Sequence, residues 1–99
     1  MIVRLSDAAE AELEAIGDWI ALDAPMRAHS FIQELRDACE RIGHAPEAYV
    51  LLPCHKASGI RRRVYRNYLI FYVITDHVFV LHIMNGARNY EPMLFPDGE

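Results

Sequence analysis

The chain has 99 residues, of which 53% are hydrophobic and 24% are charged. This composition is typical of a folded domain and unlike that of disordered chains. We therefore expect a single domain over residues 1–99, with a short C-terminal tail at about 90–99. The net charge of −4 disfavours a protein that binds duplex DNA by itself, because such proteins are usually basic overall.

The charge is unevenly distributed along the chain. Residues 1–49 hold four basic and ten acidic side chains, whereas residues 50–99 hold six basic and four acidic ones. An anionic partner is therefore expected to dock on the second half.

Signals for export or membrane insertion are not visible in the sequence. The N-terminus has no basic region followed by an apolar run, and the longest uncharged stretch, residues 77–87, falls short of the roughly 20 residues of a membrane helix. Cys39 and Cys54 do not make a disulfide framework. We expect a cytoplasmic protein without a membrane partner.

The first half of the chain predicts a strand and two helices. Ile2–Leu5 is short and β-branched, which favours a strand. Ser6 is a suitable N-cap, and apolar residues recur at helical spacing over residues 7–22 and again over about 25–42. Gly43 is suited to a left-handed helix end. The two helices form a predicted αα-hairpin.

The second half predicts a loop and three strands. Residues 44–59 lack periodicity and indicate a long loop, with a short extended piece at 49–52. Strands are predicted over 60–66, 68–75 and 78–85, with turns at Arg66-Asn67 and Asp76-His77. The order β-α-α-β-β-β predicts an α+β fold in which an αα-hairpin packs on one face of an antiparallel sheet.

The central predicted strand, YLIFYVIT at residues 68–75, is apolar on both faces. Two helices cover only one face of a sheet, and a strand of this kind normally has cover on both. We expect a partner to supply part of the second cover.

Residues 60–66 carry a run of arginines. Alternation along a strand predicts that Arg61 and Arg63 share one face, and that Arg62 and Arg66 share the other. Guanidinium groups pair with phosphates and carboxylates, so the run is one candidate for a surface that contacts nucleic acid or an acidic protein segment. The alternative is a solvated edge strand whose charges block aggregation. Arg88, after the turn Asn85-Gly86-Ala87, is either a cleft residue or an ordinary surface arginine.

Catalytic and metal-binding patterns are weak. Cys54-His55 is a lone Cys/His pair without a second pair at zinc spacing. The sequence shows neither a nucleophile with a base and an orienting group nor a glycine-rich phosphate loop. We expect no metal, no cofactor and no assigned catalytic residue.

Several segments taken together resemble the RelE/ParE superfamily of bacterial type II toxins. They are GDWIA at 17–21, AHSFIQEL at 28–35, RIGHAPEAY at 41–49, Gly59-Ile60-Arg61, YLIFY at 68–72 and IMNGARN at 83–89. The resemblance covers residues 3–94. Asn85 stands where the family has a histidine, and His82 stands where it usually has an arginine before that histidine.

The resemblance implies one of two activities. RelE-like members are ribosome-dependent, metal-free messenger endoribonucleases, and here Arg62, Arg88 and, less closely, Tyr90 match their catalytic positions. The arginine expected after Tyr68 is Leu69, and no tyrosine lies near Leu94. ParE-like members poison DNA gyrase without this set. The ParE branch therefore fits better, which implies a toxin that is not an enzyme.

The resemblance also implies binding surfaces and partners. The target-binding candidates are Arg61, Arg62, Arg63, Arg66 and Arg88. A cognate antitoxin is expected to cover Trp19, Tyr68, Phe71 and Tyr72, in a complex that forms a higher oligomer. The expected target is gyrase, and the alternative target is the ribosome with its messenger RNA. A third hypothesis is an inactive protein that only binds its antitoxin.

Overall fold

The structure, a computed structural model, describes residues 1–97. Its elements are the strands β1 (Val3–Leu5), β2 (Arg61–Tyr65), β3 (Tyr68–Ile74) and β4 (Val78–Asn85), and the helices α1 (Asp7–Ala21), α2 (Pro25–Ile42) and α3 (Glu91–Leu94). A short 3-10 turn covers Lys56–Ser58. The predicted strands and both long helices are confirmed to within two residues at each end. The last two residues of the predicted domain and tail, 98 and 99, lie outside the described part.

The sheet has the strand order β1-β4-β3-β2. The strands β2, β3 and β4 are antiparallel neighbours, whereas β1 runs parallel to β4. The α+β fold class is confirmed, but the sheet is mixed and not wholly antiparallel. The reason is connectivity: hairpins fix the directions of β2, β3 and β4, whereas two helices separate β1 from them.

Ser6 links the start of α1 to the sheet. Its hydroxyl oxygen accepts a hydrogen bond from the Ala9 amide at 3.0 Å and donates one to the Leu81 carbonyl at 2.7 Å. The predicted N-cap is therefore also a tether, because one side chain satisfies a free helix amide and a strand carbonyl together.

Gly43 ends α2 for a different reason from the one predicted. Its φ of −61° is right-handed, so the left-handed end was a wrong prediction. A Cβ built on Gly43 would lie 2.3 Å from the Met1 carbonyl oxygen, and the Met1 amino group donates to the Gly43 carbonyl at 3.0 Å. Glycine is needed here so that the N-terminus can approach the end of α2.

The first core lies between the helices and one sheet face. Its fully buried side chains come from α1, α2, β3 and β4, and include Leu13, Leu35, Ile42, Ile70, Tyr72, Val78, Val80 and Ile83. These residues include the apolar stripes that predicted the two helices.

A second core lies on the opposite sheet face. It contains Leu52, Ile60, Leu69, Phe71 and Met84, and the partly buried Tyr90, Leu94 and Phe95 pack against it. The predicted need for a partner to cover this face was wrong. The loop before β2 and the tail after β4 provide the cover, with a bridge between Leu51 and Arg61 confirming the predicted extended piece.

The helices described within residues 1–97 include none that is long and apolar enough to span a membrane.

Candidate functional site: a groove between α1 and the sheet

A groove of about 390 Å³ runs between α1 and the ends of β3 and β4. Its walls combine apolar side chains with one carboxylate and one guanidinium; they are Glu12, Ala15, Ile16, Trp19, Tyr68, Ile83, Met84, Asn85 and Arg88. The volume lies within the range of roughly 300–1,000 Å³ that is usual for ligand sites. We call this feature the α1–β4 groove.

Trp19 forms the rim of the α1–β4 groove. It lies at the edge of the apolar stripe of α1 and is 71% exposed. A second depression lies on its other side, lined by Ile20, Arg27, Phe31 and Asn67, and it shares Trp19 and Tyr68 with the groove. A large exposed indole between two depressions is typical of a binding surface, because aromatic anchors dominate interface energetics.

Glu12 closes the open edge of β4. Beyond the pairing of Leu5 with Val80, β1 no longer covers that edge. One Glu12 oxygen accepts the Ile83 amide at 2.9 Å, and the other lies 2.9 Å from Nδ1 of His82. Both carboxylate oxygens are therefore occupied, so Glu12 positions α1 against β4 and satisfies an amide that would otherwise be free.

Of the two departures from the superfamily pattern, Asn85 lines this groove, and His82 contacts Glu12 of its wall. His82 is held by Glu12. Asn85 lines the groove, and its side-chain oxygen accepts the Ala87 amide at 2.9 Å. The asparagine therefore shapes the turn that presents Arg88, as short polar side chains often do.

Arg88 is the cation of the groove, and it has no carboxylate partner among the residues that the structure describes. It is exposed, and its Nη2 lies 3.5 Å from the sulfur of Met93, which is a weak acceptor. None of the ion pairs described in residues 1–97 includes Arg88. Its guanidinium group therefore retains its capacity to bind an anion.

Arg61 and Arg63 lie on one face, as predicted, but their guanidinium groups are engaged. Arg61 donates to the carbonyl oxygen of Tyr49 at 2.6 Å. Arg63 donates to the Ala38 carbonyl oxygen and lies 5.2 Å above the ring of Tyr49. These two arginines join β2 to the end of α2 and the following loop, so they hold the fold together.

Arg66 does not share a face with Arg62. It occupies the hairpin turn with a left-handed φ of 54°. Its Nε lies 3.4 Å from Glu34 on α2. Hydrogen bonds from Arg27 and Tyr65 lower the pKa of Glu34, and the carboxylate joins α2 to the hairpin.

Arg62 faces the second core, opposite Phe71 in the register of β2 and β3. Its Nε is buried and has no hydrogen-bond partner among the described residues. Of the five predicted target-binding arginines, Arg62 and Arg88 thus keep unused donors. They do not line one pocket, because Arg62 is absent from the walls of the α1–β4 groove.

Three of the four residues predicted to bind an antitoxin are buried. Phe71 and Tyr72 are 0% exposed and Tyr68 is 8% exposed. The Tyr72 hydroxyl donates to the Pro46 carbonyl at 2.5 Å, and burial raises the pKa of Tyr72 to about 12. In this fold, Phe71 and Tyr72 offer no surface to a partner. Trp19 does, and Tyr68 contributes to the groove wall.

The ribonuclease candidates do not all line the α1–β4 groove, because Arg62 and Tyr90 are absent from its walls. The Tyr90 ring packs on Phe71 with their centroids 4.9 Å apart, and Arg88 lines the groove on the side of α1. Leu69 is buried in the second core. Within residues 1–97, no group of three or more His, Cys, Asp or Glu side chains is placed to hold a metal ion.

Sequence reasoning missed Glu12 and the groove as a unit. The available signal was position: Glu12 directly precedes Leu13 of the buried stripe, so a carboxylate there lies at the boundary between helix and sheet. The residue that it would meet, His82, is 70 positions away and gives no local signal.

A solved structure described as "Chromosomal ParDE TA system from P. aeruginosa" is similar, with a TM-score of 0.75 and 17% identity over 86% of this chain and 95% of that chain. At this identity the likeness shows the fold. No curated protein matches the sequence. The family model described as "ParE toxin of type II toxin-antitoxin system, parDE" matches residues 3–90. Since the match spans almost all of the described residues, the chain belongs to the ParE toxin family.

Proposed function

We propose that this chain arrests growth by inhibiting DNA gyrase and that its cognate antitoxin neutralises it. The observation that carries the proposal is the ParE family match over residues 3–90, and the incomplete set of ribonuclease residues supports it. A ribonuclease that works without metal needs its acid, base and charge-stabilising groups within reach of one phosphate. Here Leu69 is buried where a basic group would be needed, and Tyr90 packs against the second core.

The surface proposed to contact the target centres on Arg88 and Arg62. Neither forms an ion pair among the described residues, whereas Arg61, Arg63 and Arg66 bind acceptors within the chain. The antitoxin contact is proposed at Trp19. We further propose a cytoplasmic protein, since gyrase acts there, and an antitoxin complex that is a higher oligomer.

The test is supercoiling by purified gyrase with increasing amounts of this chain. We expect inhibition by the wild type and weaker inhibition by Arg88→Ala. Arg41→Ala is the matched control, because Arg41 is exposed on the last turn of α2 and forms no ion pair within the described range. Unchanged supercoiling at a large molar excess of chain would refute the gyrase proposal.

Controlled expression separates the alternatives. Growth arrest with intact messengers, relieved by the antitoxin, supports gyrase inhibition. Growth arrest with messengers cleaved at codon positions would refute gyrase inhibition and support a ribosome-dependent ribonuclease. Absence of arrest, with the antitoxin still bound, would identify a protein that only binds its antitoxin.

A further inference from the structure

We propose that the depression between the end of α1, the start of α2 and the β2–β3 turn binds a free nucleoside monophosphate, with the base stacked on Trp19 and the phosphate at Arg27. This inference goes beyond the proposed function, because it concerns a small ligand on the side of Trp19 away from the α1–β4 groove. We call the feature the hairpin depression. It has a volume of about 300 Å³ and is lined by Trp19, Ile20, Arg27, Phe31, Asn67 and Tyr68.

Three of the residues that line the hairpin depression are aromatic. Trp19 is 71% exposed, so most of its indole surface is available to a ligand. Phe31 and Tyr68 are buried, and their ring centroids lie 5.5 Å apart. Bases of every kind stack on aromatic side chains, because each base has a π-face. The walls therefore favour a ligand that carries a planar aromatic ring system.

The Tyr68 hydroxyl is an unused hydrogen-bonding group at this site. The Tyr65 and Tyr72 hydroxyls each donate to an acceptor in the chain, whereas the Tyr68 hydroxyl has no partner within residues 1–97. The Tyr68 side chain as a whole is buried. The buried side-chain polar atom without a partner in the described range is Nε of Arg62, so the Tyr68 hydroxyl keeps contact with solvent. It is therefore a fixed group that a ligand in the depression can reach.

Two guanidinium groups share one carboxylate beside the hairpin depression. Oε2 of Glu34 lies 2.5 Å from Nη1 of Arg27. Oε1 of Glu34 accepts the Tyr65 hydroxyl at 2.8 Å and lies 3.4 Å from Nε of Arg66. Both carboxylate oxygens are occupied, and the two arginines leave one positive charge unbalanced. Arg27 lines the depression, and its Nη2 has no partner among the described residues. A phosphate suits this position, because guanidinium groups bind phosphate through several N–H donors.

The surroundings favour a small ligand over a peptide or a nucleic-acid strand. The Asn67 carbonyl oxygen already accepts the Gly86 amide at 2.8 Å, so this backbone acceptor is not available to pair with a peptide. Asp18 and Asp23 are exposed near Trp19 in the sequence, and neither forms an ion pair within the described residues. These carboxylates disfavour a strand with many phosphates. The volume, at the lower end of the usual range for ligand sites, suits one nucleotide.

The test is a titration of the isotope-labelled free chain with AMP, followed by NMR. The chain has one tryptophan, so its indole N–H gives a single resonance. We expect this resonance and the amides of Phe31 and Asn67 to shift saturably, with half-saturation at roughly 0.1–1 mM AMP. The amides of Ala15 and Asn85, which line the α1–β4 groove, are expected to stay in place. Adenosine and inorganic phosphate are each expected to bind at least about tenfold more weakly than AMP, because each lacks one of the two recognised groups.

Two variants separate the contributions of the hydroxyl and the cation. Tyr68→Phe keeps the ring and removes the hydroxyl, so AMP is expected to bind about fivefold more weakly, as for one lost hydrogen bond. Arg27→Gln is expected to weaken AMP binding about tenfold and to leave adenosine binding unchanged. The matched control is Arg41→Ala, which removes an exposed arginine outside the depression and is expected to bind AMP like the wild type. Unshifted amide resonances away from each substitution show that the variant is folded.

Several results would overturn the inference. Equal affinity for AMP and adenosine would show that the phosphate is not recognised. Shifts that are linear in AMP concentration, or that centre on Ala15 and Asn85, would show that the hairpin depression is not the binding site. Tighter binding of a single-stranded oligoadenylate would assign the site to a nucleic-acid strand, and tighter binding of a blocked dipeptide of tyrosine and glutamate would assign it to a protein partner. None of these measurements involves gyrase, so their failure leaves the proposed function unaffected.

Discussion

The second core gives a direct test of whether this chain covers both faces of its sheet. Phe71 is completely buried there, and its ring packs on Tyr90 with the centroids 4.9 Å apart. Replacing it by alanine removes a full aromatic side chain and leaves a cavity between the loop and the tail. Substitutions of this kind cost about 3–5 kcal/mol. For a small domain with a total stability of roughly 5–15 kcal/mol, this is a large fraction.

Urea unfolding of the isolated chain, followed by far-ultraviolet circular dichroism, measures this cost. Tryptophan emission is a poor probe because Trp19 is already exposed in the folded state. With a denaturant dependence of about 2 kcal/mol per molar urea, Phe71→Ala is expected to lower the unfolding midpoint by about 2 M. The matched control is Phe79→Ala on β4, a partly exposed phenylalanine outside both cores, with an expected cost of about 1 kcal/mol or less.

Equal midpoint shifts for Phe71→Ala and Phe79→Ala would refute the second core as a source of stability in the free chain. The antitoxin provides a further check. Because Phe71 has no exposed surface, the destabilisation measured in the free chain is expected to be the same in the antitoxin complex. A variant that folds normally alone but fails to bind antitoxin would instead support Phe71 as a contact residue.

Three further predictions concern stability. Ser6→Ala is expected to lower the free energy of unfolding in urea by about 1–2 kcal/mol, because it removes the helix cap and the hydrogen bond to the Leu81 carbonyl of β4. A change below about 0.5 kcal/mol, as at a neutral surface site, would contradict the role of Ser6 as a tether. Gly43→Ala is expected to lower the thermal midpoint, since its Cβ would meet the Met1 carbonyl oxygen at 2.3 Å, and an unchanged midpoint would show that the N-terminus is free to move. Burial raises the pKa of Tyr72 to about 12, so the folded state retains a proton that the unfolded state loses above about pH 10, and stability should fall between pH 10 and 12. Tyr72→Phe should make this fall in the free energy of unfolding shallower by up to about 1.4 kcal/mol per pH unit. Urea unfolding at a series of pH values measures the slope, and the same slope in wild type and variant would contradict the raised pKa of Tyr72.

The elements with strong local patterns were predictable from the sequence. The stripe in α2 and the apolar strands β3 and β4 specify their own secondary structure, because helical and strand periodicities are distinct. The direction of β1 was not predictable, because three residues separated from the sheet by two helices carry no turn that fixes their orientation. The cover of the second face was also not predictable, since Leu52 and Phe95 lie in segments without periodicity.

The candidate site was predictable in its composition and not in its arrangement. Trp19 and Arg88 were identified as residues of interest, but their common groove depends on the way α1 lies along β4. The engagement of Arg61 and Arg63 was hidden as well, because their acceptors, the carbonyl oxygens of Tyr49 and Ala38, are 12 and 25 residues away. Backbone carbonyls have no signature in a sequence, so a run of arginines alone does not reveal which of them remain free.

The second core also bears on what happens when a partner leaves. If a partner completed the sheet, its removal would expose apolar surface and the chain would unfold or aggregate. Here the loop and the tail complete the sheet within one chain, so association and folding are separate equilibria. A bound partner adds stability only in proportion to its own concentration and affinity. Loss of that partner is therefore expected to leave a folded protein, whose return to the unbound state is set by dissociation and not by refolding.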